Sequence, residues 1–143
     1  MKRIFILIIS IIMCLNVFSQ VKTLTSNKFF SEIYDSENEV FINQYGIIID
    51  LYATWCGPCR VMSPTFDDVA REYSSYFDFY RVDIDDNGDL AEFFEARSIP
   101  MIIYIPAKTN NSGYYSSVGV ISKKELIDRI NVTTQPLFLG LCY

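Results

Sequence analysis

Two cysteines, Cys56 and Cys59, stand one helical turn apart in the segment Trp55-Cys56-Gly57-Pro58-Cys59-Arg60. Sulfur atoms at that spacing can exchange a dithiol for a disulfide. The attacking species is a thiolate, and a free cysteine ionises only near roughly pH 8.5. A cysteine placed just before a helix has its anion stabilised by unpaired backbone N–H groups and by the helix dipole. Cys59 then lies on the same face. It can attack a mixed disulfide formed by Cys56, release the substrate and leave an intramolecular bond. Pro58 stiffens the small ring and suits a first helical turn. Two other uses of the pair compete with this one. Tetrahedral zinc needs four ligands, but the chain has no histidine and no second cysteine pair. A structural disulfide closing so short a loop would stabilise little.

A second candidate lies downstream. Asp83-x-Asp85-x-Asn87-Gly88 matches the first half of a calcium loop. Such a loop needs a bidentate Glu at its twelfth position. That position here is Phe94, flanked by Glu92 and Glu95. Capping of a strand-to-helix turn explains the same residues.

The elements that must position the cysteines follow from hydrophobic periodicity. Gly46 to Ala53 is an apolar run broken only by Asp50, as expected of a strand covered on both faces. Thr54 to Pro58 reads as a turn. From Cys59 to Tyr73, Val61, Met62, Phe66, Val69, Ala70 and Tyr73 mark one helix face, with Pro64 inside it. Before this unit, Val21 to Thr25 alternates as a short strand, and Ser26 can cap a helix carrying Phe29, Phe30, Ile33 and Tyr34. Asp35 to Asn43 reads as a frayed helix end and loop. After it come a strand from Phe77 to Ile84, a helix capped by Asp86 or Asn87, a strand from Met101 to Ile105, a polar turn at Lys108 to Gly113 and a strand from Tyr114 to Val120. Ser122-Lys123-Lys124-Glu125 is a capping box that opens a last helix, with Leu126, Ile127 and Ile130 inward. The segment from Thr133 to Tyr143 is partly apolar and gives no firm pattern. Alternating strands and helices that end in a strand pair imply an α/β fold, a central mixed sheet with helices on both faces.

Composition narrows the classes. The chain of 143 residues is half hydrophobic, enough for one domain and one core. Its net charge of −5 argues against a nucleic-acid partner. The first nineteen residues differ from the rest. Lys2 and Arg3 precede an apolar run from Ile4 to Leu15, and Val17 and Ser19 occupy the positions a signal peptidase reads. The expected organisation is a signal peptide at residues 1–19 and a domain at 20–143, with its core at about 21–132. Cleavage would leave an acidic mature protein in a compartment where disulfides persist, the periplasm if the source is a Gram-negative bacterium. The alternative is an uncleaved anchor, for which the apolar run is short against a span of roughly 20 residues. A lipoprotein reading at Cys14 is weakened by Met13 before it. Asn110 and Asn131 head glycosylation sequons that matter only in a eukaryotic source.

The run from Ile49 to Arg60 resembles the active-site strand and helix of thioredoxins. Arg81-Val82-Asp83-Ile84-Asp85 resembles that family's third-strand motif, Ser98-Ile99-Pro100 its cis-proline loop, and Val118-Gly119 its late glycine. The motifs occur in the family's order over about residues 21–132. The resemblance implies a thioredoxin-like fold and thiol–disulfide exchange, with Cys56 as nucleophile and Cys59 as resolving thiol. It implies that Asp50 is a buried carboxylate behind Cys59, its pKa raised by burial and able to take the proton from Cys59 through water. It implies a cis bond at Pro100 that brings Ile99 beside Cys56. Trp55, Gly57, Pro58, Ile99 and Gly119 would then form the substrate-docking surface, where an extended segment hydrogen-bonds to Ile99 in strand fashion. Taken as plain sequence, Trp55 could instead be core and Gly119 an ordinary strand glycine. Tyr52 stands where the family has a second tryptophan. Arg81 stands where many members have lysine, and it can pair with Asp50 but cannot give up its proton. Cys142 has no family counterpart and reads as a free thiol, with a mixed-disulfide or regulatory role as the alternative.

The Gly-Pro pair between the cysteines resembles reducing members, which implies a protein-disulfide reductase. It would act on disulfide-containing proteins as a monomer, with no cofactor or metal beyond its own disulfide, fed by a donor such as a membrane thiol–disulfide relay. A thiol oxidase, a cytochrome-maturation reductant and a redox-inactive binding module are the alternatives.

Overall fold

The computed structural model describes residues 21–107 and 113–138, with 133–138 as backbone alone. Met1 to Ser19, Cys14, Asn110, Cys142 and the last residues of the tail lie outside the described residues, as does most of the polar turn at Lys108 to Gly113.

Five strands form the central sheet: β1 (Val21–Thr23), β4 (Gly46–Tyr52), β5 (Phe77–Asp83), β6 (Met101–Ile105) and β7 (Tyr115–Val118), in the order β1-β5-β4-β6-β7. β1 and β4 run parallel to β5, while β6 is antiparallel to both β4 and β7. The sheet is therefore mixed. β4 is its central strand, and its residues from Gly46 to Leu51 are buried. That explains why its sequence is a continuous apolar run instead of an alternating one.

Helices cover both faces. Ile47, Ile49 and Leu51 of β4 pack on one side with Phe29 of α1 (Ser26–Glu32) and Leu90 of α3 (Gly88–Phe93). Ile48 packs on the other with Met62, Phe66, Val69 and Ala70 of α2 (Gly57–Tyr73) and Leu126 and Ile130 of α4 (Lys123–Phe138). The alternation of side chains along β4 thus decides which helix each residue meets. Asp50 shares the Ile48 side, under α2.

Several elements differ from the expectation. Asp35 to Asn43 is not a frayed helix end: β2 (Tyr34–Asp35) and β3 (Val40–Phe41) pair as an antiparallel hairpin. The Asp35 carboxylate accepts the N–H groups of Glu37 at 2.9 Å and Asn38 at 3.2 Å, and Glu39 takes a left-handed φ of 54°. The polar residues that looked like loop thus build the turn. α1 is capped by Thr25, one residue before Ser26, through an N–H from Lys28 at 3.4 Å. Ser26 instead donates its backbone N–H to the Asn87 side chain at 2.9 Å. Asn87 occupies the N-cap position of α3 without making a capping bond. Its amide is used to tie the β5–α3 turn to α1, donating to the Asp83 carbonyl at 3.0 Å. These contacts account for the residues that resembled a calcium loop. Ser122 does cap α4, accepting from Glu125 N–H at 3.2 Å. α4 continues to Phe138, through Thr133 and Pro136, whose sequence carries no helical pattern. Once nucleated and packed, a helix extends over residues of poor propensity.

Candidate redox site

β4 ends at Tyr52, and the chain turns through Ala53, Thr54 and Trp55 into α2. The turn is closed by the Cys56 N–H, which donates to the Ala53 carbonyl at 3.1 Å, and by Arg60 Nη1, which donates to the Thr54 carbonyl at 3.1 Å. Helix α2 begins two residues earlier than its apolar stripe suggested. Cys56 is its N-cap, with extended φ/ψ, and Pro58 sits in its first turn. The Cys59 backbone N–H donates to Cys56 Sγ at 3.1 Å. A first-turn N–H, one of the groups with no partner inside a helix, is thus aimed at the sulfur. Cys56 and Cys59 are joined in a disulfide. Both are buried, packed with Ala53 and edged by Tyr52, Ile84 and Ile99.

The other expected residues fall around this pair. The Ile99–Pro100 peptide is cis. Pro100 is buried, and Ile99 is half-buried against the cysteines. Gly119 donates its N–H to the Pro100 carbonyl at 2.8 Å and has a φ of 90°. That left-handed conformation suits glycine, so Gly119 is not an ordinary strand glycine. Trp55 is not core. Its side chain is 66% exposed, and its indole N–H donates to Asp85 Oδ2 at 2.8 Å. Pro58 is exposed and Gly57 half-buried. Of the apolar residues expected to dock a client, Ile99 packs against the two cysteines, while Trp55 and Pro58 are exposed.

Asp50, on β4, is 1% exposed. Arg81, its register partner on β5, donates from Nε to Asp50 Oδ2 at 3.1 Å, while Asp50 Oδ1 is buried with no protein hydrogen-bond partner. Burial raises the Asp50 pKa above 3.8, and it does so against the opposing charge and hydrogen bond of Arg81. Arg81 lies over the rings of Tyr52 and Phe66, 5.8 and 5.5 Å from their centroids. Tyr52 thus walls the site as an aromatic.

The raised pKa has a consequence for stability. Below 3.8, Asp50 is protonated in the folded and the unfolded chain alike. As pH rises past that value the unfolded chain ionises first and releases its proton, whereas the folded chain holds it. Folding stability contributed by Asp50 is therefore lost as pH rises through the folded pKa, at about 1.4 kcal/mol for each unit by which burial raises it. Unfolding by urea at a series of pH values should show Asp50→Asn gaining on the wild type from 3.8 towards neutrality. Parallel curves for the two proteins would contradict the burial argument.

Two residues of the site carry roles the sequence did not signal. Asp85, read as part of the third-strand motif, holds the Trp55 indole. Asp67, on α2, receives the second arm of Arg81 at 3.3 Å. Both pairings join residues far apart in the chain. Helical spacing from Cys59 puts Asp67 roughly on the same stripe of α2, but nothing in the sequence pairs it with β5.

Comparison with known proteins agrees with this geometry. A family model for thioredoxin matches residues 20–132. The thioredoxin of Borreliella burgdorferi is 37% identical over 87 residues, 59% of this chain and 74% of that one. The thioredoxin of Pyropia yezoensis is 32% identical over 103 residues, 71% of this chain and 94% of that one. Among solved structures, chloroplastic thioredoxin z superposes with a TM-score of 0.66 at 21% identity, over 80% of this chain and 95% of its own. The thioredoxin of Malassezia sympodialis gives 0.64 at 22% identity, over 80% and 90%. These two likenesses speak to the fold. With a cysteine pair at the head of α2 and a family match spanning the whole sheet, the chain belongs to the thioredoxin family and is a thiol–disulfide oxidoreductase.

Proposed function

We propose that this oxidoreductase is an exported protein-disulfide reductase. The observation that carries the direction of transfer is the Gly57-Pro58 bridge, placed in the first turn of α2 with the Cys59 N–H on Cys56 Sγ. The apolar start of the sequence, with its basic residues and small side chains at Val17 and Ser19, supports export.

The Cys56 thiolate attacks one sulfur of a client disulfide. The client S–S bond breaks, a client–Cys56 disulfide forms, and the departing client thiolate takes a proton. Cys59 then gives its thiol proton to Asp50 through a water, and its sulfur attacks Cys56 Sγ. The client–Cys56 bond breaks as the Cys56–Cys59 bond forms, and the second client thiolate is protonated. Two electrons have passed from the protein dithiol to the client. Trp55, Gly57, Pro58, Ile99 and Gly119 form the surface on which an extended client segment pairs with the Ile99 backbone. Electrons return from a dithiol donor, for which a membrane thiol–disulfide relay is the fitting class, and the protein acts as a monomer.

The reduction potential of the Cys56–Cys59 pair tests the direction. Equilibration with a glutathione series should place it near the value known for thioredoxins, about −270 mV. A value near about −120 mV, the range of a strong oxidant, would make the protein an oxidase and overturn the reading.

A further inference from the structure

The guanidinium of Arg81 is divided between two carboxylates. Nε donates to Asp50 Oδ2 at 3.1 Å and Nη2 donates to Asp67 Oδ1 at 3.3 Å. Arginine can grip a single carboxylate with two parallel bonds, which binds the ionised form strongly. Here it does not. Asp50 receives one bond, and its Oδ1 is left buried with no protein partner. The other arm points outward to Asp67, which is 44% exposed. The rings of Tyr52 and Phe66, each within 6 Å of the guanidinium, limit how far its plane can turn.

We propose that Asp67 is a positioning residue for the proton step at Asp50: it holds one arm of the Arg81 fork away from Asp50 and so keeps that carboxylate able to take up a proton. This rests on Asp50 being the acceptor of the Cys59 proton. A second negative charge on α2 acts in the same sense, because a like charge nearby disfavours ionisation of Asp50. The other groups around Asp50 do not duplicate this role. β5 contributes Arg81 itself, β4 contributes Tyr52, and α2 contributes Asp67. The register partner on β6 is the uncharged Ile102. Arginine stays charged at every working pH, so in this chain the proton affinity of Asp50 cannot be relieved by deprotonating its partner. Dividing the fork is the means the structure offers instead.

Asp67→Asn removes the repelling charge and leaves only a neutral amide oxygen as acceptor, which weakens the hold of Asp67 on the second arm of Arg81 and lets it turn towards Asp50 Oδ1. Both changes favour the ionised form of Asp50. Its titration midpoint, followed by carbon NMR of the side-chain carboxyl in the oxidised protein, should move to lower pH than in the wild type. Asp67→Glu keeps the charge and the acceptor and should restore the wild-type midpoint. If Asp67 merely anchors α2, its replacement would change stability and leave the Asp50 midpoint in place. A midpoint in Asp67→Asn equal to or above the wild type overturns the proposal. The pH dependence of disulfide exchange provides the second reading. Where the NMR midpoint moves down and the rate profile moves with it, both assignments stand. Where the midpoint moves and the rate profile does not, Asp50 is not the acceptor of the Cys59 proton and the stated role of Asp67 in that step falls with it. The direct titration therefore separates a failure at Asp67 from a failure at Asp50.

Discussion

Cys56→Ser should lower the rate of insulin reduction by dithiol turnover at least ~10³-fold, as loss of a covalent nucleophile does when the rest of the site survives. The loss is chemical and not structural. Serine is itself a good N-cap, so its hydroxyl can accept the same first-turn N–H that Cys56 Sγ accepts from Cys59. The variant should therefore match the reduced wild type in unfolding midpoint while failing in turnover. Comparing the two reduced proteins is essential, because the variant cannot form the Cys56–Cys59 bond. A variant that unfolds under assay conditions would not speak to the chemistry. A folded variant with wild-type turnover would move the nucleophile elsewhere in the chain.

The sequence carried most of what places that nucleophile, and the reasons are local. The apolar run around Asp50 and the helical stripe through Met62, Phe66 and Val69 read directly as a buried strand leading into a helix, because burial on both faces and on one face leave different periods. The order of motifs carried Pro100 and Gly119 to the same end of the sheet. Turn chemistry was less legible. Asp35 builds a hairpin by accepting two backbone N–H groups, and the same polar residues serve a loop equally well on paper. Asn87 looked like a cap and is instead a tie between α1 and the β5–α3 turn. Least legible were the long-range polar pairings. Trp55 with Asp85, and Arg81 with both Asp50 and Asp67, join residues up to 31 positions apart. A charged side chain leaves no periodic trace of its partner, so these contacts emerge only when the strands are in register.

Cys59→Ser gives the second large effect, and it is a gain of a species instead of a loss. Without the Cys59 sulfur the client–Cys56 disulfide has no internal attacker, so the intermediate persists until an external thiol resolves it. Reduced Cys59→Ser mixed with a disulfide peptide should convert to an adduct approaching one equivalent, and turnover should fall with it. The same serine removes the proton that Asp50 is proposed to accept, so the rate of adduct formation should be insensitive to Asp50→Asn.

The central claim is that the sulfur seated at the head of α2 is the attacking one. Peptide mapping of the Cys59→Ser adduct by mass spectrometry tests it most directly. The predicted result is a client peptide joined to Cys56. Absence of any adduct, or a client joined to Cys142 with Cys56 free, would contradict it.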